Sequence, residues 1–248
     1  PPLVDVITQS PGQSAEEIER LAPDRRFVQV LLFAMNEMLL GRRIYWPVYA
    51  AAEKHGLTVG IHAGSTYRHA PMASGWPAHR VEDYVAQSAA FESQLLSFLA
   101  EGVFQKFTKL KLVLLESGFT WLPNLLWRTS KGWRGMRPET PWIDRPPAEI
   151  VREHVRVTLQ PVDAPKGDAK TLQQTLEHIG SDRMLLFSTD YPHWQFDGED
   201  ALPDGLDTAL GRGGVLGDAV GELVADHVDG DGEAVEHLAV AVAEDHPV

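Results

Sequence analysis

Residues 57–64 read LTVGIHAG, a short apolar run that ends at His62 and meets a small-residue turn at Ala63 and Gly64. An uninterrupted apolar run of this length is typical of a strand buried on both faces, as in a parallel sheet. The preceding residues 45–55 repeat apolar side chains at helical spacing and stop at Gly56, a common helix end. This segment of the chain therefore predicts a helix followed by a buried strand.

The same alternation extends in both directions from this segment. Helical patterns begin at Ser14 and cover residues 81–101, 121–133, 148–154 and 170–179. Alternating strands and helices predict a parallel α/β sheet, and 248 residues fit one (β/α)8 TIM barrel. Since a closed barrel needs eight strands, the six found here predict an incomplete TIM barrel. Besides residues 57–62, the predicted strands are residues 3–8, 27–33, 110–115, 155–160 and 184–188.

The composition restricts the chemistry. The chain has no cysteine, so any metal must bind to histidine, aspartate or glutamate. No apolar run approaches the roughly 20 residues that cross a bilayer. The first residues also lack the basic stretch and apolar core of a secretory signal. We expect a soluble, cytoplasmic protein without a membrane partner.

The net charge of −13 is concentrated near the carboxyl terminus. Residues 198–248 hold 13 acidic side chains and one basic one, whereas residues 1–197 are almost neutral, which argues against a nucleic-acid partner. No aromatic residue follows Phe196. We therefore predict a partial barrel domain in residues 1–203 and an atypical acidic tail in residues 204–248. Its composition predicts poor packing or disorder. It is either a genuine acidic tail or the product of a coding frame shift, and the second interpretation is preferred.

Three ionisable residues directly follow predicted strands: His62, Glu116 and Asp190. In a barrel of this type the carboxyl ends of the strands form the active-site face. Imidazole and carboxylate groups are ligands for zinc and related ions, and a carboxylate beside a bound water can act as its general base. Each residue alone also has a purely structural interpretation: a hydrogen-bonded histidine, a glutamate paired with Arg128, or an aspartate that caps a turn. Their convergence on one face favours a metal site.

Several aromatic and histidine side chains are weaker candidates. His193 lies near Asp190 in sequence, and we predict that it binds substrate together with Trp121 and Trp76. Tryptophan at such spacing is also common in cores. His69 and His79 lie on the loop after His62, where a lid could be, and are further candidates for substrate contact.

Three motifs together resemble the amidohydrolase-related branch of the amidohydrolase superfamily, which includes aminocarboxymuconate-semialdehyde decarboxylase. They are residues 60–64 (GIHAG), residues 115–118 (LESG) with WLP at 121–123, and residues 187–193 (FSTDYPH). The resemblance implies that His62 and Asp190 bind a divalent metal, with zinc preferred, and that Asp190 also transfers the water proton. Where the family often has a catalytic or metal-binding histidine, this chain has Glu116.

The chain also departs from this family. It contains no His-x-His pair, which the family carries on its first strand, and residues 3–8 correspond to the third strand, so the first two strands are expected to be missing. We therefore expect the chain as it stands to bind metal weakly and to turn over little, because affinity depends on the number of ligands.

Hydrolysis of an amide or ester bond in a small-molecule substrate is the first hypothesis, because Glu116 in place of the family's histidine weakens the case for decarboxylation. Non-oxidative decarboxylation of an aromatic or unsaturated acid would use the same site and stays a second hypothesis. A metal-free glycosidase that uses Glu116 and Asp190 as a carboxylate pair is a third, and an inactive relic or binding protein is a fourth. Unpaired sheet edges leave a homodimer open as an assembly.

Overall fold

A parallel sheet of six strands organises the computed structural model, which describes residues 3–5, 8–65, 67, 70, 72 and 74–190. The strands pair in chain order, each parallel to the next, as in a (β/α)8 barrel. All six predicted strands are confirmed, and so is the incomplete TIM-barrel type. The strands are β1 (Leu3–Asp5), β2 (Gln29–Met35), β3 (Thr58–Ser65), β4 (Leu112–Leu115), β5 (Val155–Thr158) and β6 (Leu185–Leu186).

Helices connect the strands, and every predicted helix is present. The first helix begins at Pro11 and not at Ser14, which is buried inside it. Proline suits a first helical position because its backbone angle is already helical and its missing N–H is not needed there. The helices are α1 (Pro11–Leu21), α2 (Trp46–His55), α3 (Arg80–Ala100), α4 (Val103–Lys106), α5 (Leu122–Met136), α6 (Pro147–His154) and α7 (Ala169–Ile179), with 3-10 turns at Arg43–Tyr45 and Asp182–Met184.

The hydrophobic core lies between the sheet and these helices. Ile61, Leu114 and Val157, from three successive strands, have no solvent-exposed surface. On the helix side, the rings of Tyr49 and Phe98 lie 5.1 Å apart and are also fully buried. This packing explains why the strands are continuous apolar runs: one face contacts the helices and the other faces the barrel interior.

Two further predictions concern membrane insertion and the acidic tail. Within the described residues, no helix is long and apolar enough to cross a membrane. The predicted acidic tail, residues 204–248, lies outside the described residues, as does the end of the predicted barrel domain at residue 203. The domain boundary therefore stays a prediction.

Candidate active site at the carboxyl ends of the strands

His62 lies in β3, beside Phe33 of β2 and Leu115 of β4 in the strand register. Its ring makes two polar contacts. The Nδ1 atom lies 2.6 Å from the carbonyl oxygen of Ala63, and the Nε2 atom lies 3.1 Å from Oε1 of Glu116. Both contacts are at the carboxyl end of the sheet, so the predicted convergence of His62 and Glu116 is observed. From the sequence, Glu116 could also have paired with Arg128; in the structure it contacts His62.

Glu116 is the first residue after β4 and has a left-handed backbone conformation, with φ of 54°. The chain turns at this point instead of continuing the strand. The backbone N–H of Glu116 donates to Oγ1 of Thr158 in β5, at 2.9 Å. The turn thus leaves the Glu116 side chain beside His62 at the edge of the sheet.

The two ring nitrogens of His62 both face hydrogen-bond acceptors. The carbonyl of Ala63 can only accept, and an ionised Glu116 carboxylate can only accept as well. Burial lowers the pKa of His62, but the hydrogen bond and charge of Glu116, the Ala63 carbonyl and the charge of Asp190 together raise it above its ordinary value. The site therefore favours a positive charge at or beside Nε2, carried either by a proton or by a bound cation.

Asp190 is the last described residue and is only 6% exposed. It follows β6 by four residues and has a left-handed backbone, with φ of 57°. Its negative charge is the smallest of the effects that raise the pKa of His62, after the hydrogen bond and charge of Glu116 and the carbonyl of Ala63. A third strand end thus contributes a buried carboxylate to the neighbourhood of His62.

The donor types at this site fit a divalent cation. One imidazole and two carboxylates are the ligands expected for zinc or manganese in a protein without cysteine. Among residues 3–190, as far as the structure describes them, no three histidine, aspartate or glutamate side chains are grouped so that they could hold an ion. The roles of His62, Asp190 and Glu116 therefore stay predictions.

The structure places the remaining predicted site residues as follows. Trp121 precedes α5, packs partly buried against the core, and donates its indole N–H to the carbonyl of Ser117 at 2.8 Å. Trp76 is 60% exposed on the loop before α3, and His79 directly precedes that helix with its side chain largely exposed. His193 and His69 lie outside the described residues. Substrate binding by Trp121, Trp76 and His193 stays a prediction.

A buried polar cluster at the ends of β1 and β2 was not predicted from the sequence. The hydroxyl of Thr8 donates to Oδ1 of Asn36 at 2.8 Å, and Nδ2 of Asn36 donates to the hydroxyl of Tyr45 at 2.9 Å. Thr8 and Asn36 are both buried. The sequence did contain a signal for this cluster, because the polar Asn36 directly follows the apolar strand β2. The same kind of signal pointed to His62, Glu116 and Asp190.

Comparison with solved structures identifies similar folds. An amidohydrolase from Mycobacterium avium subsp. paratuberculosis matches with a TM-score of 0.64 at 24% identity, over 83% of this chain and 52% of that one. A 5-carboxyvanillate decarboxylase from Sphingomonas paucimobilis matches with a TM-score of 0.55 at 23% identity, over 76% and 55%. A dihydroxybenzoic acid decarboxylase from Polaromonas, with bound manganese and the inhibitor 2-nitroresorcinol, matches with a TM-score of 0.58 at 22% identity, over 79% and 59%.

The chain spans about half to three fifths of the length of these three proteins. Residues 1–231 match the Amidohydrolase family, in agreement with the resemblance carried by the three sequence motifs. The chain therefore belongs to the amidohydrolase family.

Proposed function

We propose that this chain carries part of the active site of a divalent-metal-dependent hydrolase that cleaves an amide or ester bond in a small molecule. The observation that supports this proposal is the contact of 3.1 Å between His62 and Glu116 at the carboxyl end of the sheet. The charge of the buried Asp190 acts on the same imidazole. This combination would provide an imidazole ligand, a carboxylate beside its Nε2 atom, and a carboxylate for proton transfer.

His62, through Nε2, and Asp190 are the residues that would hold the ion. A bound divalent ion supplies a lowered pKa for a coordinated water and polarises a carbonyl group. The manganese found in the similar Polaromonas structure supports a divalent metal. Zinc, which the family resemblance favoured, stays a prediction for this chain.

The chemistry proposed for this chain's own residues is a proton transfer. The Asp190 carboxylate accepts a proton from the water whose oxygen attacks the substrate carbonyl, and it returns that proton to the departing nitrogen or oxygen. The products are a carboxylic acid and an amine or alcohol, so one water is consumed for each bond broken. With the ion on Nε2, the Nδ1–H of His62 would donate to the carbonyl of Ala63, at 2.6 Å, and this contact orients the ring. Glu116, 3.1 Å from Nε2, would then lie beside the ion as a further carboxylate.

Decarboxylation is the second candidate, because several structures with similar folds belong to decarboxylases of 2,6-dihydroxybenzoate and 5-carboxyvanillate. In that reaction the same site would deliver a proton to the carbon that loses carbon dioxide. Glu116 in place of the histidine that the family often has there favours hydrolysis. The glycosidase hypothesis receives less support, because Glu116 is in contact with His62 and the family match is to amidohydrolases.

Metal binding by the chain tests the site itself. In equilibrium dialysis against Mn²⁺ or Zn²⁺, we expect one weakly held ion, and at least about tenfold weaker binding in His62→Ala and in Asp190→Asn, because each removes a ligand. His178→Ala is the matched control, because His178 lies at the end of α7 against the ring of Trp127. Equal binding in His62→Ala and the unaltered chain would contradict the assignment.

Product analysis of the metal-loaded chain tests the reaction. We expect slow hydrolysis of aryl esters or anilides, decreased about 10²- to 10⁴-fold in Asp190→Asn because a general base is lost. Release of carbon dioxide from 2,6-dihydroxybenzoate without ester or amide hydrolysis would replace the hydrolase proposal with a decarboxylase. If the chain binds the ion but forms neither product, the result would favour a binding protein.

A further inference from the structure

We propose that Thr158 is a positioning residue that holds Glu116 against His62. Thr158 ends β5 and is 2% exposed, and its Oγ1 atom accepts the backbone N–H of Glu116 at 2.9 Å. Glu116 in turn contacts Nε2 of His62 at 3.1 Å. This inference rests on the role proposed above for Glu116, and it concerns what keeps that side chain in place.

The need for Thr158 arises from the way β4 ends. Residues Leu112, Val113 and Leu114 pair with β5, but the strand ends at Leu115 and Glu116 turns into the left-handed region. A buried or half-buried N–H without an acceptor is unfavourable, so the amide of Glu116 needs a partner after it leaves the regular pairing. The hydroxyl of Thr158 provides that acceptor in place of a strand carbonyl.

The hydroxyl group is also held on its donor side. Oγ1 of Thr158 lies 3.2 Å from the carbonyl of Gln160 and 3.4 Å from that of Leu114, so its single proton is directed at one of these two oxygens. The backbone N–H of Gln160 donates to Oγ of Ser188 at 3.2 Å, two residues before Asp190. The polar contacts thus run from the turn that carries Glu116 across β5 to the segment that carries Asp190.

The hydroxyl is the part of Thr158 that packing does not require. The same strand has valine at positions 155 and 157, both fully buried, and valine has almost the same shape as threonine. Replacing Thr158 by valine would therefore keep the volume and remove only the hydrogen bonds. If the residue merely filled space, such a change would leave the Glu116 turn unaffected.

Nuclear magnetic resonance of the metal-free chain tests this inference without depending on metal binding or turnover. In Thr158→Val we expect the Glu116 amide to exchange with solvent about fivefold to tenfold faster, the change that one hydrogen bond of ordinary strength produces. The ¹⁵N resonance of His62 Nε2 should move in the direction seen in Glu116→Gln. Thr158→Ser keeps the hydroxyl and should restore both signals.

The double variant Thr158→Val with Glu116→Gln separates positioning from general loosening. The valine change should add no further shift at His62 once the carboxylate is gone. Unchanged Glu116 and His62 signals in Thr158→Val would overturn the inference, and so would an equal disturbance in Thr158→Ser. If the valine variant fails to fold, Thr158→Ala, which also removes the hydroxyl, takes its place. It must speed the exchange of the Glu116 amide, and Thr158→Ser must preserve it. A confirmed effect with no metal bound would support the role of Thr158 even if the hydrolase proposal failed.

Discussion

Gly118 provides the sharpest test of how the loops after β4 and β5 fit together. Its φ of 59° lies in the left-handed region, and a Cβ atom at this position would lie 2.9 Å from the carbonyl oxygen of Pro161 and 3.1 Å from Oδ2 of Asp163. Gly118→Ala should therefore destabilise the fold for two separate reasons. The left-handed backbone costs about 1 kcal/mol for alanine, and moving the Pro161 backbone adds about 1–3 kcal/mol, as in an overpacked core.

Two more glycines separate these contributions. Gly56 is also left-handed, with φ of 68°, but a Cβ there would meet nothing within 4 Å, so Gly56→Ala should cost only the backbone term of about 1 kcal/mol. Gly12 lies in α1 with open space around it, and alanine there should stabilise by up to about 1 kcal/mol. Urea unfolding gives all three values. A Gly118→Ala cost within about 0.5 kcal/mol of the Gly56→Ala cost would refute the close approach to Pro161.

The core and one buried histidine allow two further predictions. Phe98→Ala should lower the free energy of unfolding by about 3–5 kcal/mol in urea, because Phe98 is fully buried, whereas Leu96→Ala on the same helix, 47% exposed, should change it by less than about 0.5 kcal/mol. His154 is 2% exposed, and burial holds its pKa below 6.5. The unfolded chain therefore binds the proton more tightly than the folded chain, so the free energy of unfolding should decrease as the pH falls below 6.5. Nδ1 of His154 faces the carbonyl of Leu110, so His154→Asn can keep a hydrogen-bond donor there. The free energy of unfolding of this variant should change less over that pH range than that of the unaltered chain. An equal pH dependence in both would contradict a neutral, buried imidazole.

Much of the fold could be predicted because the strands are apolar along most of their length, even where, as at Phe33 of β2, one face is exposed. Runs such as residues 57–62 and 110–115 have few polar side chains that could indicate another structure, and a glycine or a change of period marks their ends. The short α4 helix, Val103–Lys106, was not predicted, since four residues are too few to show a helical period. The start of α1 was misplaced at Ser14, because the sequence signal for a helix cap is matched equally by a serine inside the first turn.

The candidate site could be predicted only as a set of strand ends. Parallel strands bring their carboxyl ends to one edge, which is enough to place His62 and Glu116 together. It does not reveal which side chain contacts which, because that depends on the left-handed turn at Glu116. The role of Thr158 was not predicted, because threonine has the shape of the valines in the same strand. Only the position of its hydroxyl group, seen in the structure, distinguishes it from them.

The backbone at the two carboxylates gives an independent reason to connect them with function. In the part of the chain that the structure describes, Tyr67, Glu116 and Asp190 are the non-glycine residues with positive φ. A left-handed conformation costs a residue with a Cβ about 1 kcal/mol relative to glycine, and such strained positions cluster at active sites. Glycine would relieve this strain at either strand end but would remove the carboxylate. We therefore propose that the left-handed backbone at Glu116 and Asp190 is retained for the proposed function of their carboxylates, at some cost in stability.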